Sequence, residues 1–168
     1  MIDLQTFTVR NALIFKAARL RALQDSPSAF AVTFAEESQL TDADWIERAN
    51  QANGERSIFY LAMKKDEVCG IAGVLPDPND ATQARLVSMW TAPTHRRLGI
   101  GQLLVNMILD WAGAHGVRIL QLHVAGNNQS AISFYQRMGF SLTGSTVAYP
   151  SDPDAVVYEM IRPIISET

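Results

Sequence analysis

The sequence predicts an α+β protein, a mixed α/β sandwich in which helices pack on a mixed sheet of six to seven strands. Runs with strand character outnumber the amphipathic helical stretches. The helices also interrupt the strands irregularly, which disfavours a regularly alternating, doubly wound sheet. The 168 residues contain no internal repeat, low-complexity tract or linker, so we predict a single domain over residues 1–168.

Four stretches have helical periodicity, and each is bounded by residues that cap or stop a helix. Thr41 has Asp44 three residues later, which is a loose form of the capping box. The longest pattern carries apolar residues at helical spacing from Ile100 to Trp111. The four predicted helices are residues 12–24, capped by Asn11; a stretch from Thr41 to Asn53-Gly54; one from Ile100 to near His115-Gly116; and one from Asn127 or Asn128 to about Met138.

Seven runs are typical of strands, because they are apolar or alternating and end at turn-forming residues. The first, over residues 4–10, alternates only weakly. Lys64-Lys65-Asp66 predicts a tight turn, and Pro150–Asp154 predicts a loop before the last strand. The predicted strands are 4–10, Ser57–Met63, Glu67–Leu75, Ala84–Thr91, Val117–Val124, Phe140–Tyr149 and Ala155–Ile161.

Composition excludes several classes of protein. With 48% hydrophobic and 18% charged residues, the chain resembles ordinary globular proteins and not disordered ones. No apolar run approaches the ~20 residues that a membrane-spanning helix needs. Asp3, with no basic residue before Arg10, argues against a secretory signal. The single cysteine, Cys69, forms no internal disulfide and fits a reducing, cytoplasmic location.

The charge is unevenly distributed along the chain. The net charge of −3 comes from 14 Lys and Arg against 17 Asp and Glu. Between Arg85 and Arg137, however, five arginines face the single acid Asp110, a net charge of +4. Such asymmetry marks the place of an anionic ligand, unless it reflects a chance distribution of surface residues. Nucleic-acid binding is not predicted, because so few basic residues are spread over a strand, a loop and two helices.

The segment from Arg96 to Gly101 joins a predicted strand to the longest helix and has the features of a phosphate site. The N-terminus of a helix offers unpaired N–H groups and a partial positive charge. Glycines at 99 and 101 allow a phosphate to approach the backbone, and two arginines add donors. Leu104 replaces the third glycine of a dinucleotide fingerprint, and no Gly-Lys pair of a P-loop exists. The segment predicts a pyrophosphate site of another kind.

Two motifs give the sequence its resemblance to a known family. Arg96, Gly99 and Gly101 match the pattern Gln/Arg-x-x-Gly-x-Gly/Ala, and residues 128–140 match Asn-x-x-Ala-x-x-x-Tyr-x-x-x-Gly-Phe. Over Ala84–Phe140 the chain therefore resembles the GNAT superfamily of N-acetyltransferases. The resemblance implies a mostly antiparallel sheet of six to seven strands with about four helices. It also implies transfer of an acetyl group from acetyl-CoA to a primary amine by direct attack in a ternary complex.

The resemblance assigns roles to individual residues. Asn128 would contact the CoA chain, cap its own helix, or do both. A backbone N–H near Met89 or Trp90 would stabilise the oxyanion, in a gap that opens as the strands ending near Thr91 and Val124 diverge. Tyr135 would protonate the leaving thiolate, although its alternative role is in the apolar stripe of a short helix. The implied cofactor residues are Met89, Trp90 and Thr91 for the pantetheine arm, Arg96, Arg97, Leu98, Gly99, Ile100, Gly101 and Gln102 for the pyrophosphate, and Asn128.

The general base stays open, because Arg85–Thr91 contains no carboxylate. His123 suits neutral pH but also fits a hydrogen-bonded core residue, and a water relay is an alternative. Glu36 and Glu37 lie in a region that borders the acceptor site in this family. His95, His115 and Cys69 carry no predicted catalytic role, and no metal site is predicted. Six acids would favour a cationic acceptor if they lined the pocket, or would form a solvated helix face: Glu36, Glu37, Asp42, Asp44, Glu47 and Glu55.

A second hypothesis comes from another class of protein. A CoA-binding sensor or regulatory module would keep the phosphate site and lose turnover, which the missing strand carboxylate favours and Tyr135 disfavours. The acceptor stays open among small amines, amino acids, aminoglycosides, peptides and proteins. Many members of the family dimerise through sheet edges or C-terminal strands, so the resemblance is compatible with a homodimer.

Overall fold

The computed structural model describes residues 1–54, 56–149 and 152–165. Within them, seven strands form one sheet, and helices of different length cover both faces. The strands are β1 (Asp3–Thr6), β2 (Ile58–Lys64), β3 (Glu67–Pro76), β4 (Gln83–Thr91), β5 (Ile119–Ala125), β6 (Ser141–Tyr149) and β7 (Asp152–Pro163). The helices are α1 (Ala12–Asp25), α2 (Phe34–Glu37), α3 (Asp42–Ala52), α4 (Ile100–Ala114) and α5 (Gln129–Arg137), with short 3₁₀ turns at Val9–Asn11, Pro27–Ala29 and Pro93–His95.

The sheet has the strand order β1-β2-β3-β4-β5-β7-β6 and is antiparallel except between β4 and β5. This arrangement confirms the predicted α+β class with its mixed, mostly antiparallel sheet. Among the described residues, none of the helices is long and apolar enough to cross a lipid bilayer.

The β4–β5 junction opens part of the way along the two strands. They pair over three residues each, Gln83–Arg85 with Ile119–Gln121. Beyond Arg85, β4 keeps its partner β3 but no longer pairs with β5, while β5 continues along β7. The two halves of the sheet therefore separate, and the gap exposes one edge of β4.

A bulge in β4 reverses the direction of its side chains. Gly73 pairs with Val87 and Ile71 with Trp90, so Ser88 and Met89 share one position on the β3 side. Ser88 accommodates the extra residue with a left-handed φ of 58°. Before the bulge, Leu86 packs on the α4 side of the sheet; after it, Trp90 packs on the α1 and α3 side. Without the inserted residue, side chains at positions two or four apart would share one face.

Two hydrophobic clusters hold the layers together. One lies between the sheet and α4 and α5, with Leu104 and Ile108 at its centre. The other lies between the sheet and α1 and α3, where Trp45 is fully buried beside Phe15. Burial of such side chains contributes roughly 1.5–3 kcal/mol each.

Most predicted elements are present, with three differences. β1 ends at Thr6, because the Asn11 side chain folds back to bond Thr8 N and Thr6 O and closes a 3₁₀ turn instead of capping α1. The short helix α2 is additional to the prediction and begins with a capping box between Thr33 and Glu36. β7 begins at Asp152, so that part of the predicted Pro150–Asp154 loop is strand, while residues 150–151 lie outside the described residues.

Glu37 at the end of α2 is a buried carboxylate between two arginines. It is 4% exposed, and its oxygens accept from Arg19 Nε at 3.2 Å and from Arg48 Nη1 at 2.8 Å. Burial lowers the pKa of Arg19 from its ordinary value, and the charge of Glu37 counters this effect. The three side chains join α1, α2 and α3 into one wall.

We expect Glu37→Gln to lower the free energy of unfolding by about 3 kcal/mol, since breaking a buried ion pair from one side leaves charge uncompensated. Urea unfolding measures this difference. Glu36→Gln is the matched control, because Glu36 is exposed and contributes only to the start of α2, a capping interaction of about 1 kcal/mol. Equal losses for the two variants would contradict a structural role for the buried pair.

Candidate active site

One cavity of about 1630 Å³ runs from the gap between β4 and β5 to the wall formed by α1, α2 and α3. The loop before α4 and the helix α5 line one end, and Arg19, Glu37 and Arg48 line the other. The 3₁₀ turn Pro27–Ala29 lines the cavity and contacts β5. The volume is larger than that of an ordinary small-molecule pocket, so it has room for two substrates.

The loop before α4 has the backbone of an anion-binding site. Arg97 and Gly99 adopt left-handed conformations, with φ of 65° and 81°, on either side of Leu98. Left-handed residues in such a turn direct successive N–H groups into a concavity, at the positive end of the helix dipole. A Cβ on Gly101 would lie 3.2 Å from Met89 Cε and 3.3 Å from Phe134 Cζ, so this glycine allows close packing.

We expect Gly99→Ala to weaken CoA binding about tenfold, because a left-handed alanine costs about 1–2 kcal/mol and the loop relaxes to avoid it. Isothermal titration with CoA measures the change. Gly116→Ala is the matched control: Gly116 has a φ of 74°, nothing lies within 4 Å of its added Cβ either, and it is outside the cavity. If both variants bind CoA equally well, the loop does not hold the pyrophosphate as predicted.

Arg96 anchors this loop to α1. Its Nη2 donates to Asp25 Oδ2 at 2.5 Å, and its Nε donates to the Thr91 carbonyl at 3.1 Å. Trp90 Nε1 donates to the same Asp25 oxygen at 3.0 Å. The bond to Trp90, the bond to Ser26 and the charge of Arg96 lower the pKa of Asp25, against the opposing effect of burial. The Arg96 side chain thus organises the loop, whereas the exposed Arg97 makes no ion pair within the described ranges.

The edge of β4 that faces the gap offers main-chain groups to a bound chain. Trp90 and Thr91 pair with β3 on one side, and no strand pairs with them on the other side within the described part of the chain. Ser88 and Met89 lack register partners in β3 because of the bulge. An extended ligand arm adds to such an edge as an extra strand does.

Helix α5 brings two predicted residues to the cavity. Asn128 caps α5 by accepting from Ala131 N at 3.1 Å, so the capping alternative is observed and the side chain still lines the cavity. Tyr135 is 8% exposed and packs edge-on against Phe140, with ring centroids 5.8 Å apart. Burial and the neighbouring Tyr149 raise the pKa of Tyr135 well above its ordinary value. Its phenol is therefore protonated at neutral pH.

His123 on β5 lines the cavity beside Tyr149, with ring centroids 6.4 Å apart. Burial and the charge of Arg85 lower the pKa of His123, and Glu159 partly offsets this. The imidazole is thus neutral at pH 7. Neither ring nitrogen is hydrogen-bonded to another described residue, so the alternative of a hydrogen-bonded core histidine lacks support.

The end of the cavity lined by Arg19, Glu37 and Arg48, here called the acceptor end, is basic, which disfavours the alternative of an acidic pocket wall and leaves that of a solvated helix face. Arg19 Nη1 reaches the bulge and donates to Ser88 Oγ at 2.7 Å. Of the six acids from Glu36 to Glu55, Glu37 alone lines the cavity among the described residues, and it is paired with two arginines. Four of the others have structural partners: Glu36 and Asp44 belong to capping boxes, Asp42 pairs with Lys16, and Glu47 accepts from Gln51. Glu55 lies outside the described residues.

The structure brings together most of the predicted site. Every predicted cofactor residue except Leu98, whose side chain is 60% exposed, lines this cavity together with Tyr135. His95 and His115 do not line it. Sequence reasoning missed Arg19, Arg48 and Tyr149, and it included Arg85 only as one end of the basic stretch. A charged residue in the otherwise uncharged strand β4 is a sequence signal that points to Arg85.

The cavity between two diverging strands, the anion-binding loop and the matched motifs agree with a family comparison. A model of the acetyltransferase (GNAT) family matches residues 20–140. The protein therefore belongs to the GNAT family, whose members use acyl-CoA cosubstrates.

Individual relatives match about half of the chain. N-acetyltransferase family 8 member 2 of Rattus norvegicus is 39% identical over 90 residues, which cover 51% of this chain and 39% of that protein. An uncharacterized N-acetyltransferase of Methanocaldococcus jannaschii is 39% identical over 100 residues, covering 51% of this chain and 44% of the other. The chain thus spans less than half the length of these curated relatives.

Solved structures share the fold over almost the whole chain. A GNAT-family acetyltransferase from Streptococcus pneumoniae has a TM-score of 0.83 at 23% identity, covering 98% of this chain and 100% of that one. The PaiA N-acetyltransferase from Thermoplasma acidophilum, solved in complex with coenzyme A, has a TM-score of 0.74 at 14% identity over 97% and 99% of the two chains. These similarities concern the fold.

Proposed function

We propose that the protein is an acetyl-CoA-dependent N-acetyltransferase that transfers the acetyl group to a primary amine by direct attack in a ternary complex. The observation that carries this proposal is one continuous cavity, which joins the loop before α4, the edge of β4 that faces the gap and the basic acceptor end. CoA would enter along the loop from Arg96 to Gln102, and its pantetheine arm would pair with Met89, Trp90 and Thr91.

The bond changes occur at the bulge. The amine nitrogen attacks the thioester carbonyl, a C–N bond forms, and the carbonyl oxygen becomes an oxyanion. N–H groups at Met89 or Trp90 would stabilise that oxyanion, since the bulge leaves this part of β4 irregularly paired. The C–S bond then breaks, and the thiolate takes a proton from Tyr135.

The amine loses its proton to His123, directly or through a water molecule. Two observations support this assignment: the neutral imidazole lies on the cavity wall, and no described carboxylate on that wall is unpaired. Arg85, Tyr149 and Glu159 surround this histidine from β4, β6 and β7. Burial and the charge of Arg85 lower the pKa of His123, and the charge of Glu159 partly offsets this.

Cys69 does not fit a covalent acyl intermediate, which supports direct transfer. The thiol is fully buried, donates to the Ala62 carbonyl at 3.2 Å and is outside the cavity. Burial also raises the pKa of Cys69, so the nucleophilic thiolate is disfavoured.

Release of CoA from acetyl-CoA across a panel of amines tests the proposal. Direct transfer predicts intersecting initial-velocity lines when acetyl-CoA and amine are both varied, and Cys69→Ser is expected to leave them intersecting. Parallel lines would instead indicate an acyl-enzyme. Tight CoA binding without release by any amine would favour the alternative, a CoA-binding sensor or regulatory module. Organisation as a single domain over 1–168, a cytoplasmic location and a homodimer stay predictions.

A further inference from the structure

Two buried side-chain donors lack a hydrogen-bond partner in the described part of the chain, and both belong to the cavity wall. They are Trp45 Nε1 on α3 and Arg85 Nε on β4. A buried donor without an acceptor costs about 1–3 kcal/mol. Since both groups can only donate, an occupant of the cavity with acceptor atoms would satisfy them.

The charges of the cavity wall also favour an occupant with acceptor atoms. Arg19, Arg48 and Arg85 line the cavity, and its acids among the described residues are Glu37 and Asp25. Glu37 is already shared by Arg19 and Arg48, and the other acid of the cavity, Asp25, is taken by Arg96. No carboxylate of the described residues lies within ion-pair distance of Arg85. The cavity wall therefore has excess positive charge, and the Arg85 guanidinium has no counter-ion among the described residues.

Arg85 is also in the right part of the sheet. It is the last β4 residue paired with β5, directly opposite Gln121. His123 follows two residues later, so its side chain lies on the same face of β5 as that of Gln121. The reacting carbonyl would lie at the bulge, three residues beyond Arg85 along β4. Along the strand direction, His123 thus lies between Arg85 and the proposed site of attack, so a ligand held at Arg85 would reach past the proposed proton acceptor.

We propose that the acceptor is an amine that also carries a carboxylate, an amino acid, and that Arg85 binds this carboxylate. The inference rests on the proposed acetyltransferase function and narrows its substrate class. An arginine pairs with a carboxylate through two parallel N–H···O bonds and so fixes the orientation of the neighbouring amine. Polyamines are disfavoured, because the described cavity wall has no unpaired acid for a second ammonium group.

Carboxylate binding would also strengthen the proton acceptor. The positive charge of Arg85 lowers the pKa of His123 in the empty site. A bound carboxylate neutralises that charge, so the pKa of His123 rises towards its ordinary value when substrate is present. The acid limb of kcat is accordingly expected at higher pH than that of kcat/KM.

Matched acceptors test the proposal. With acetyl-CoA fixed, we would measure kcat/KM for alanine, leucine and phenylalanine, for their primary amides, and for spermidine. At least one amino acid is expected to exceed its own amide by about 10- to 100-fold, the value of a charge-assisted hydrogen-bonded pair. Arg85→Gln is expected to remove that preference, whereas Arg118→Gln, on an exposed arginine outside the cavity, keeps it.

The outcomes separate this inference from the proposed function. If amides or spermidine are acetylated as well as the amino acids, the carboxylate site is wrong and the acetyltransferase stands. If no acceptor releases CoA, the NMR signals of the arginine Nε–Hε groups in the CoA-bound protein test whether Arg85 binds a carboxylate. Leucine, but not leucinamide, is expected to shift the Nε–Hε signal of Arg85. The Nε–Hε signal of Arg19 should not move, because this group already donates to Glu37. An unmoved Arg85 signal overturns the inference.

Discussion

Replacing Tyr135 by phenylalanine is expected to lower kcat by about 10²- to 10³-fold, within the range for removal of a general acid. The ring would still pack against Phe134 and Phe140, so folding and CoA affinity should be preserved. The raised pKa of Tyr135 keeps the phenol protonated through neutral and mildly alkaline pH. Consequently, ionisation of Tyr135 should cause no loss of kcat in the wild-type enzyme at any pH below about 10, the ordinary pKa of a tyrosine.

Steady-state kinetics with acetyl-CoA and a saturating amine measure this effect. Tyr158→Phe is the matched control, because Tyr158 lies on β7 outside the cavity and packs against the core. An unchanged kcat for Tyr135→Phe would leave this tyrosine its alternative role in the apolar stripe of α5. The leaving thiolate would then take its proton from another group.

Replacing His123 by glutamine is expected to lower kcat/KM at pH 7 by about 100-fold, as for loss of a general base. Burial and Arg85 lower the pKa of His123 below its usual 6.5, so the neutral form predominates at pH 7. As pH falls through that lowered value, the wild-type kcat/KM should decrease with the uptake of one proton. The glutamine variant should lose this acid limb.

A pH profile of kcat/KM measures both effects, and His115→Gln is its matched control. His115 stacks on Trp111 at the end of α4, outside the cavity, and bonds the Trp111 carbonyl. Its replacement should leave the acid limb in place. If the limb persists in His123→Gln, the amine proton leaves by another route.

The parts of the site that sequence predicted are those encoded by local backbone preferences. The loop before α4 depends on glycine, which adopts the left-handed φ found at Gly99, and on the amphipathic helix that follows. Likewise Asn128 and Gly139 bound α5 in the expected way, and Tyr135 falls inside it. These features involve residues within a few positions of one another.

The acceptor end depends on contacts between distant residues, which a single sequence does not reveal. Arg19 and Ser88 are 69 residues apart, and Asp25 and Arg96 are 71 apart. From the sequence, the acids of residues 36–55 could line the pocket or form a solvated helix face, and among the described residues Glu37 alone lines the cavity. That Arg85 lines the cavity with no counter-ion within the described ranges is likewise visible only in the folded chain.

The inserted residue at Ser88 also has a consequence for how β4 tolerates mutation. Upstream of it, even-numbered positions such as Ala84 and Leu86 face α4; downstream, the odd-numbered Met89 does so. Deleting one residue here would move the side chains of Met89–Thr91 to the opposite faces of the sheet, and Trp90 would then face α4. The alternation of buried and exposed positions among related sequences should therefore reverse at Ser88. Relatives that keep the catalytic geometry should also keep the number of residues in β4.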